Sequence, residues 1–187
     1  MCDHPDLREV PLSEKEMFHG VLIDVTHMQV RLPNGQTALR EVVRHKGAAA
    51  VVPVDDEGNV YLVRQHRVVV DLMTLEIPAG KLERGEDPAA AARRELSEET
   101  GASCETLTPL GEILASPGGF TEVLHLYMAT GLTFGSQHPD EDEFINFERI
   151  PFDALLDRCL SGELRDGKTV AGVLKVYALR TRKKEEK

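Results

Sequence analysis

The sequence predicts an α/β fold, a mixed sheet with helices on both faces, preceded by a small antiparallel β subdomain. Three observations point to it. The mostly apolar run AAAVVPV at 48–54 suits a strand buried on both faces. A helix-forming segment follows near 88–100, with strand-like segments on either side of it. A long segment near 167–182 carries apolar residues at helical spacing. Strands interrupted by a helix, then strands, then a helix give that layering.

Taken in order, residues 18–45 read as the small antiparallel sheet. VLIDVTHMQVRL alternates, Pro33-Asn34-Gly35 marks a turn, and TALREVV resumes the strand. So short a sheet cannot bury much surface alone. The expected organisation is therefore a β subdomain at 1–45, which docks on the rest or on a second copy of the chain, and a main domain at 46–187. After AAAVVPV, Asp55 to Asn59 form a hairpin loop and VYLVRQHRVVV returns as a strand. LEIPAG leads into the helix. Further strands are expected near 105–114, 123–130 and 144–150, and a short helix near 152–161. The last helix would bury Val170, Val173, Leu174, Tyr177 and Ala178.

Composition narrows the function. The 187 residues suffice for one sizeable core. The net charge of −10 argues against a nucleic-acid backbone or an anionic membrane as partner. No apolar run is long enough to span a membrane, and MCDHPDLREV does not read as a signal peptide. Three scattered cysteines, Cys2, Cys104 and Cys159, suit reduced thiols and a cytoplasmic protein. The seven histidines show no metal-ligand spacing.

The chemistry concentrates in GKLERGEDPAAAARRELSEETGA, residues 80–102. Asp87 is a good N-cap, Pro88 suits the first helical position, and Gly101 is a natural left-handed terminator. On a helix, Glu95 and Glu99 lie roughly 40° apart, with Glu98 about 60° to the other side of Glu95. Ala89, Ala92 and Leu96 fall on a different face and can pack inward. Arg94 stands four residues before Glu98 and can orient it, which places Arg94 with the catalytic set. Carboxylates this close repel unless compensated, and a hard divalent cation with oxygen ligands compensates them. The residues alone lead to metal-dependent phosphate chemistry.

The spacing G-x5-E-x7-R-E-U-x-E-E-x-G-U, with U hydrophobic, is that of the Nudix hydrolases, and the chain resembles them at every position from Gly80 to Ala102. LEIPAGKLE, the RQHR segment, SPGGFTE and DEDEFI narrow the likeness to the ADP-ribose pyrophosphatases. The resemblance implies an α/β/α sandwich and Mg²⁺-dependent hydrolysis of ADP-ribose to AMP and ribose 5-phosphate, with Mn²⁺ able to substitute. It implies metal ligands at Glu95, Glu98, Glu99 and the Ala79 carbonyl. It puts the general base at Glu143, with Glu98 as the alternative, and substrate contacts at Arg44, Arg67 and Glu122. The chain has no tryptophan, so Phe18 becomes the candidate for stacking on the base. Related enzymes exchange an N-terminal sheet across a homodimer, which is the expected assembly here. Other readings are a Nudix hydrolase of ADP-glucose, GDP-mannose or NADH, and a sensor that binds ADP-ribose without cutting it.

Overall fold

A computed structural model describes residues 7–137 and 144–185. Ten strands and three helices follow one another: β1 (Val10–His19), β2 (Asp24–Arg31), β3 (Thr37–Arg44), β4 (Ala48–Pro53), β5 (Asn59–Arg67), β6 (Leu72–Glu76), β7 (Ala79–Lys81), α1 (Pro88–Thr100), β8 (Ala102–Leu114), β9 (Val123–Phe134), β10 (Asn146–Pro151), α2 (Phe152–Leu160) and α3 (Gly167–Glu185). They form two compact units. One contains the residues up to Lys46 together with Leu114–Val123; the other contains Gly47–Ile113 and the residues from Leu124 onward.

In the first unit β1, β2 and β3 make an antiparallel sheet. β1 extends this sheet N-terminally beyond residue 18, where alternation in the sequence starts. Every residue of β1 is exposed, so it has no inward face to mark it as a strand. The segment 116–121 lies against β3, with Val43 N–H donating to the Gly119 carbonyl (2.7 Å) and Thr121 N–H to the Val43 carbonyl (3.0 Å).

The second unit holds two sheets. Strands run β7-β4-β9-β8 in one and β10-β5-β6 in the other. β4 pairs parallel with β9 and antiparallel with β7, so the sheet is mixed. Every residue of β4 is buried, because its two faces serve different layers. Ala49 and Val51 meet Ala91, Ala92 and Leu96 on the α1 side. Ala50 and Val52 join Leu62, Ile77, Leu155 and Val173 on the other. This is the helix–sheet–helix layering, and among the described residues no helix is long and apolar enough to cross a membrane.

Three expectations need correction. Val68, Val69 and Val70 are not strand: β5 ends at Arg67, and the three form an exposed turn in which Val69 is 94% exposed. The turn at Asp55–Asn59 exists, held by Asn59 N–H on the Asp55 carboxylate (2.8 Å), but its arms share only the Val54–Val60 bridge before entering different sheets. α3 buries Thr169, Gly172, Val173 and Val176, whereas Leu174 and Tyr177 are exposed. The substitution of a glycine seam for the leucine has a steric cause. A Cβ at Gly172 would lie 2.9 Å from Val52 Cγ2, so this is the face on which α3 can come close to β4.

Candidate active site

Local sequence sets the frame of α1. Asp87 accepts from Ala90 N–H (3.0 Å), Pro88 opens the helix, and Gly101 ends it at φ 69° with its N–H on the Ser97 carbonyl. Gly101 is doubly required. A side chain there would be strained by the backbone and would meet the Gly135 carbonyl at 2.7 Å. The chain after β9 is fastened here, through Gly135 N–H to the Gly101 carbonyl (2.7 Å) and Gln137 Nε2 to the Glu99 carbonyl (2.6 Å).

The helix brings Glu95, Glu98 and Glu99 together with Arg94, Glu86 and the β7 residues Ala79 and Gly80. Arg94 is the hub. It donates to both Glu86 oxygens (3.0 and 3.1 Å), to Glu95 (2.6 Å) and to Glu98 (2.9 Å). Its hydrogen bond with Glu86, more than any other contact, raises its own pKa, and the same bond, with a further one from Glu83 N–H, lowers that of Glu86. Glu95 and Glu99 are only 7% and 2% exposed, a burial that sequence periodicity did not foresee. Glu99 accepts from Ala79 N–H at 3.1 Å. The Glu95 carboxylate rests directly over Gly80, where a Cβ would sit 1.8 Å from Oε1. The glycine is there to leave room for the acid.

This donor set is all oxygen and carries an excess of negative charge, which fits a hard divalent cation. Among the described residues no three His, Cys, Asp or Glu side chains are placed to hold an ion as they stand. Arg94 holds Glu95 and Glu98, and Glu98, a third exposed, would have to turn from it. The donor chemistry fits; the side-chain arrangement is that of an arginine-clamped cluster.

Arg67 stands at the end of β5. Its Nε and Nη2 make a two-point contact with the buried Glu76 (2.8 and 2.7 Å), and 45% of its side chain stays exposed. Glu76 also accepts from Thr74 Oγ1 (2.6 Å) and pairs with Lys168 of α3. Neither Glu76 nor Lys168 was marked by the sequence, since their pairing joins residues 92 positions apart. Burial alone would raise the Glu76 pKa, but the Arg67 guanidinium, the Lys168 ammonium and the Thr74 hydroxyl outweigh it and hold the carboxyl at about 2 against an ordinary 4.5. Because the folded value is depressed, the stabilisation is complete above about pH 4.5 and drains away as pH falls towards 2, worth roughly 3 kcal/mol. Denaturant titrations at pH 7 and pH 3 should show that Glu76→Gln destabilises strongly at the higher pH and much less at the lower.

The remaining candidates belong to the other unit or lie outside the described residues. Arg44 pairs with Glu14 (2.5 Å), Glu122 faces His45 Nδ1 at 3.5 Å, and Phe18 is 56% exposed. The Ser116–Gly119 loop is a closed turn, in which Gly119 and Phe120 N–H both donate to the Ser116 carbonyl (3.1 and 2.9 Å). Glu143 lies outside the described residues.

Together, a carboxylate-rich helix on a mixed, helix-covered sheet and a glycine seat for the central acid define a phosphoanhydride hydrolase scaffold. The NUDIX domain family matches residues 44–171, and the chain belongs to that family, whose members use divalent metal ions. It is 41% identical to a methanol dehydrogenase activator of Bacillus methanolicus over 167 residues, covering 88% of this chain and 90% of the relative. It is 38% identical to an ADP-ribose pyrophosphatase of Bacillus subtilis (strain 168) over 169 residues, covering 89% and 91%. The fold also matches the crystal structure of an ADP compounds hydrolase at TM-score 0.83 and 23% identity, covering 95% of this chain and 97% of that one.

Proposed function

We propose that the protein is a Mg²⁺-dependent hydrolase that splits the diphosphate bond of ADP-ribose into AMP and ribose 5-phosphate. The observation that carries this is the cluster in which Glu95 lies over Gly80, Glu99 accepts from Ala79 N–H and Glu98 joins Glu95 on Arg94, in a chain 38% identical to an ADP-ribose pyrophosphatase. Glu95, Glu98, Glu99 and the Ala79 carbonyl would hold the ion, with Mn²⁺ able to replace Mg²⁺. When bound, it supplies the positive charge that a diphosphate needs beside these acids.

The rest falls to the chain itself. Arg94 keeps Glu95 and Glu98 in place until they are needed. Arg67 and Arg44 meet phosphate oxygens, for which the guanidinium fork is well shaped. Glu122 faces the terminal ribose and Phe18 stacks on the base. Glu143 takes the proton of the attacking water, a role that needs reach more than rigidity. The β subdomain expected at 1–45, which lies in the unit of residues up to Lys46 and Leu114–Val123, would serve a cytoplasmic homodimer.

The test is a panel of ADP-ribose, ADP-glucose, GDP-mannose and NADH with Mg²⁺. ADP-ribose should be cleaved with the highest kcat/KM; preference for the guanine sugar would overturn the substrate assignment, and tight binding without turnover would make the protein a sensor. In the same assay Glu143→Gln should lower kcat by roughly 10²-fold or more, as loss of a general base does. Near-normal turnover would move that role to Glu98.

A further inference from the structure

We propose that Lys168, on the first turn of α3 and outside the helix-borne motif, is a positioning residue for Arg67, acting through Glu76. The inference rests on the reading above in which Arg67 meets the diphosphate.

Arginine at the end of a strand is a long, mobile side chain, and holding it in one pose costs conformational entropy. Glu76 supplies the hold. Its carboxylate takes the Nε–Nη2 edge of the guanidinium, which leaves the Nη1 edge for an incoming anion. The geometry of Glu76 is in turn fixed from three sides, by Arg67, by Thr74 Oγ1 and by Lys168 Nζ. Lys168 is itself placed: only 12% exposed, it also reaches Asp166 (3.0 Å), whose carboxylate caps α3 through Thr169 N–H (3.0 Å) and Oγ1 (2.5 Å). Thr169 Oγ1 accepts from Ile77 N–H (2.9 Å), so the start of α3 is pinned to the segment that runs from Glu76 to Ala79.

The electrostatic consequence concerns Arg67. A lone carboxylate paired with a lone guanidinium would neutralise it. Here the Glu76 carboxylate is shared between Arg67 and Lys168, and Lys168 also pairs with Asp166, so the hold of Glu76 on the guanidinium is not exclusive. Asp166 and Glu99 add their negative field to that of Glu76 at Arg67. Removing Lys168 would let Glu76 draw wholly on Arg67, and the arginine would meet a second anion less well.

The experiment compares KM and kcat for the wild type, Lys168→Met, Lys168→Arg and the core variant Val176→Ala, on whichever diphosphate the wild type cleaves best. A different preferred substrate would thus overturn the preceding reading and leave this comparison intact. Lys168→Met should raise KM roughly tenfold with kcat within about twofold, the pattern of lost substrate binding. Lys168→Arg should restore most of it. Val176→Ala, which opens a cavity in the core, should lower Tm without moving KM. If Lys168→Met does not fold, Lys168→Gln, which keeps a donor for Glu76 and loses the charge, takes its place. An unchanged KM, or a KM rise of the same size in Val176→Ala, would overturn the proposal.

Discussion

Gly80→Ala should lower kcat by roughly 10- to 100-fold while leaving the fold in place, the scale expected when the support of a metal ligand is lost. The backbone at Gly80 does not demand glycine; the neighbouring acid does. An added methyl would overlap the Glu95 carboxylate, 1.8 Å from Oε1 and 2.0 Å from Cδ. The obstacle is the end of a flexible side chain, so the relief is for Glu95 to swing away. The sheet pairing of β7 with β4 need not break. Circular dichroism and Tm should therefore stay near the wild type while activity falls. A variant that keeps its turnover would show that Glu95 can work from another position, and the ligand assignment would need revision.

Glu99→Gln should be the more severe change, lowering kcat by roughly a thousandfold, about 4 kcal/mol in the barrier. Glu99 is 2% exposed and accepts from Ala79 N–H. The amide oxygen of glutamine can take the same hydrogen bond, so shape and backbone pairing survive and only the charge disappears. Losing one buried negative charge beside Glu95 and Glu98 should hold or raise Tm. Stability and activity should thus move apart. Isothermal titration with Mg²⁺ gives an independent reading: weakened metal affinity is expected in Glu99→Gln, and unchanged affinity with lost turnover would assign Glu99 a different part.

Much of this site could be read from the chain because it is local. Asp87, Pro88 and Gly101 act on their own helix, and the capping and termination they predict are found. Arg94 and Glu98 are one turn apart, and they bond. What escaped was long-range or lacked a burial pattern. Glu76 looks like any acid in an apolar stretch until Arg67, Thr74 and Lys168 converge on it from β5, β6 and α3. Gly80 reads as a loop glycine, and only the position of Glu95 reveals why a methyl is excluded. β1 carries no inward-facing residues, so alternation had nothing to report. The valines at 68–70 failed for the opposite reason: strong β-formers at a turn, where the pairing of β5 with β6 had already ended at Arg67.

The unit that holds the N-terminal sheet is not a contiguous stretch of chain. Its third strand is bonded at Val43 to Gly119 and Thr121, residues the polypeptide supplies some seventy-five positions later. Excising the first forty-six residues would strand that later segment with its main-chain partners gone, and transplanting them onto a foreign enzyme would leave β3 without the segment bonded to it. Recombination between relatives should therefore keep a hydroxyl at position 121, where Thr121 Oγ1 accepts from His45 N–H (2.9 Å). Chimeras that lose it should express less well, although each half is native in its own context.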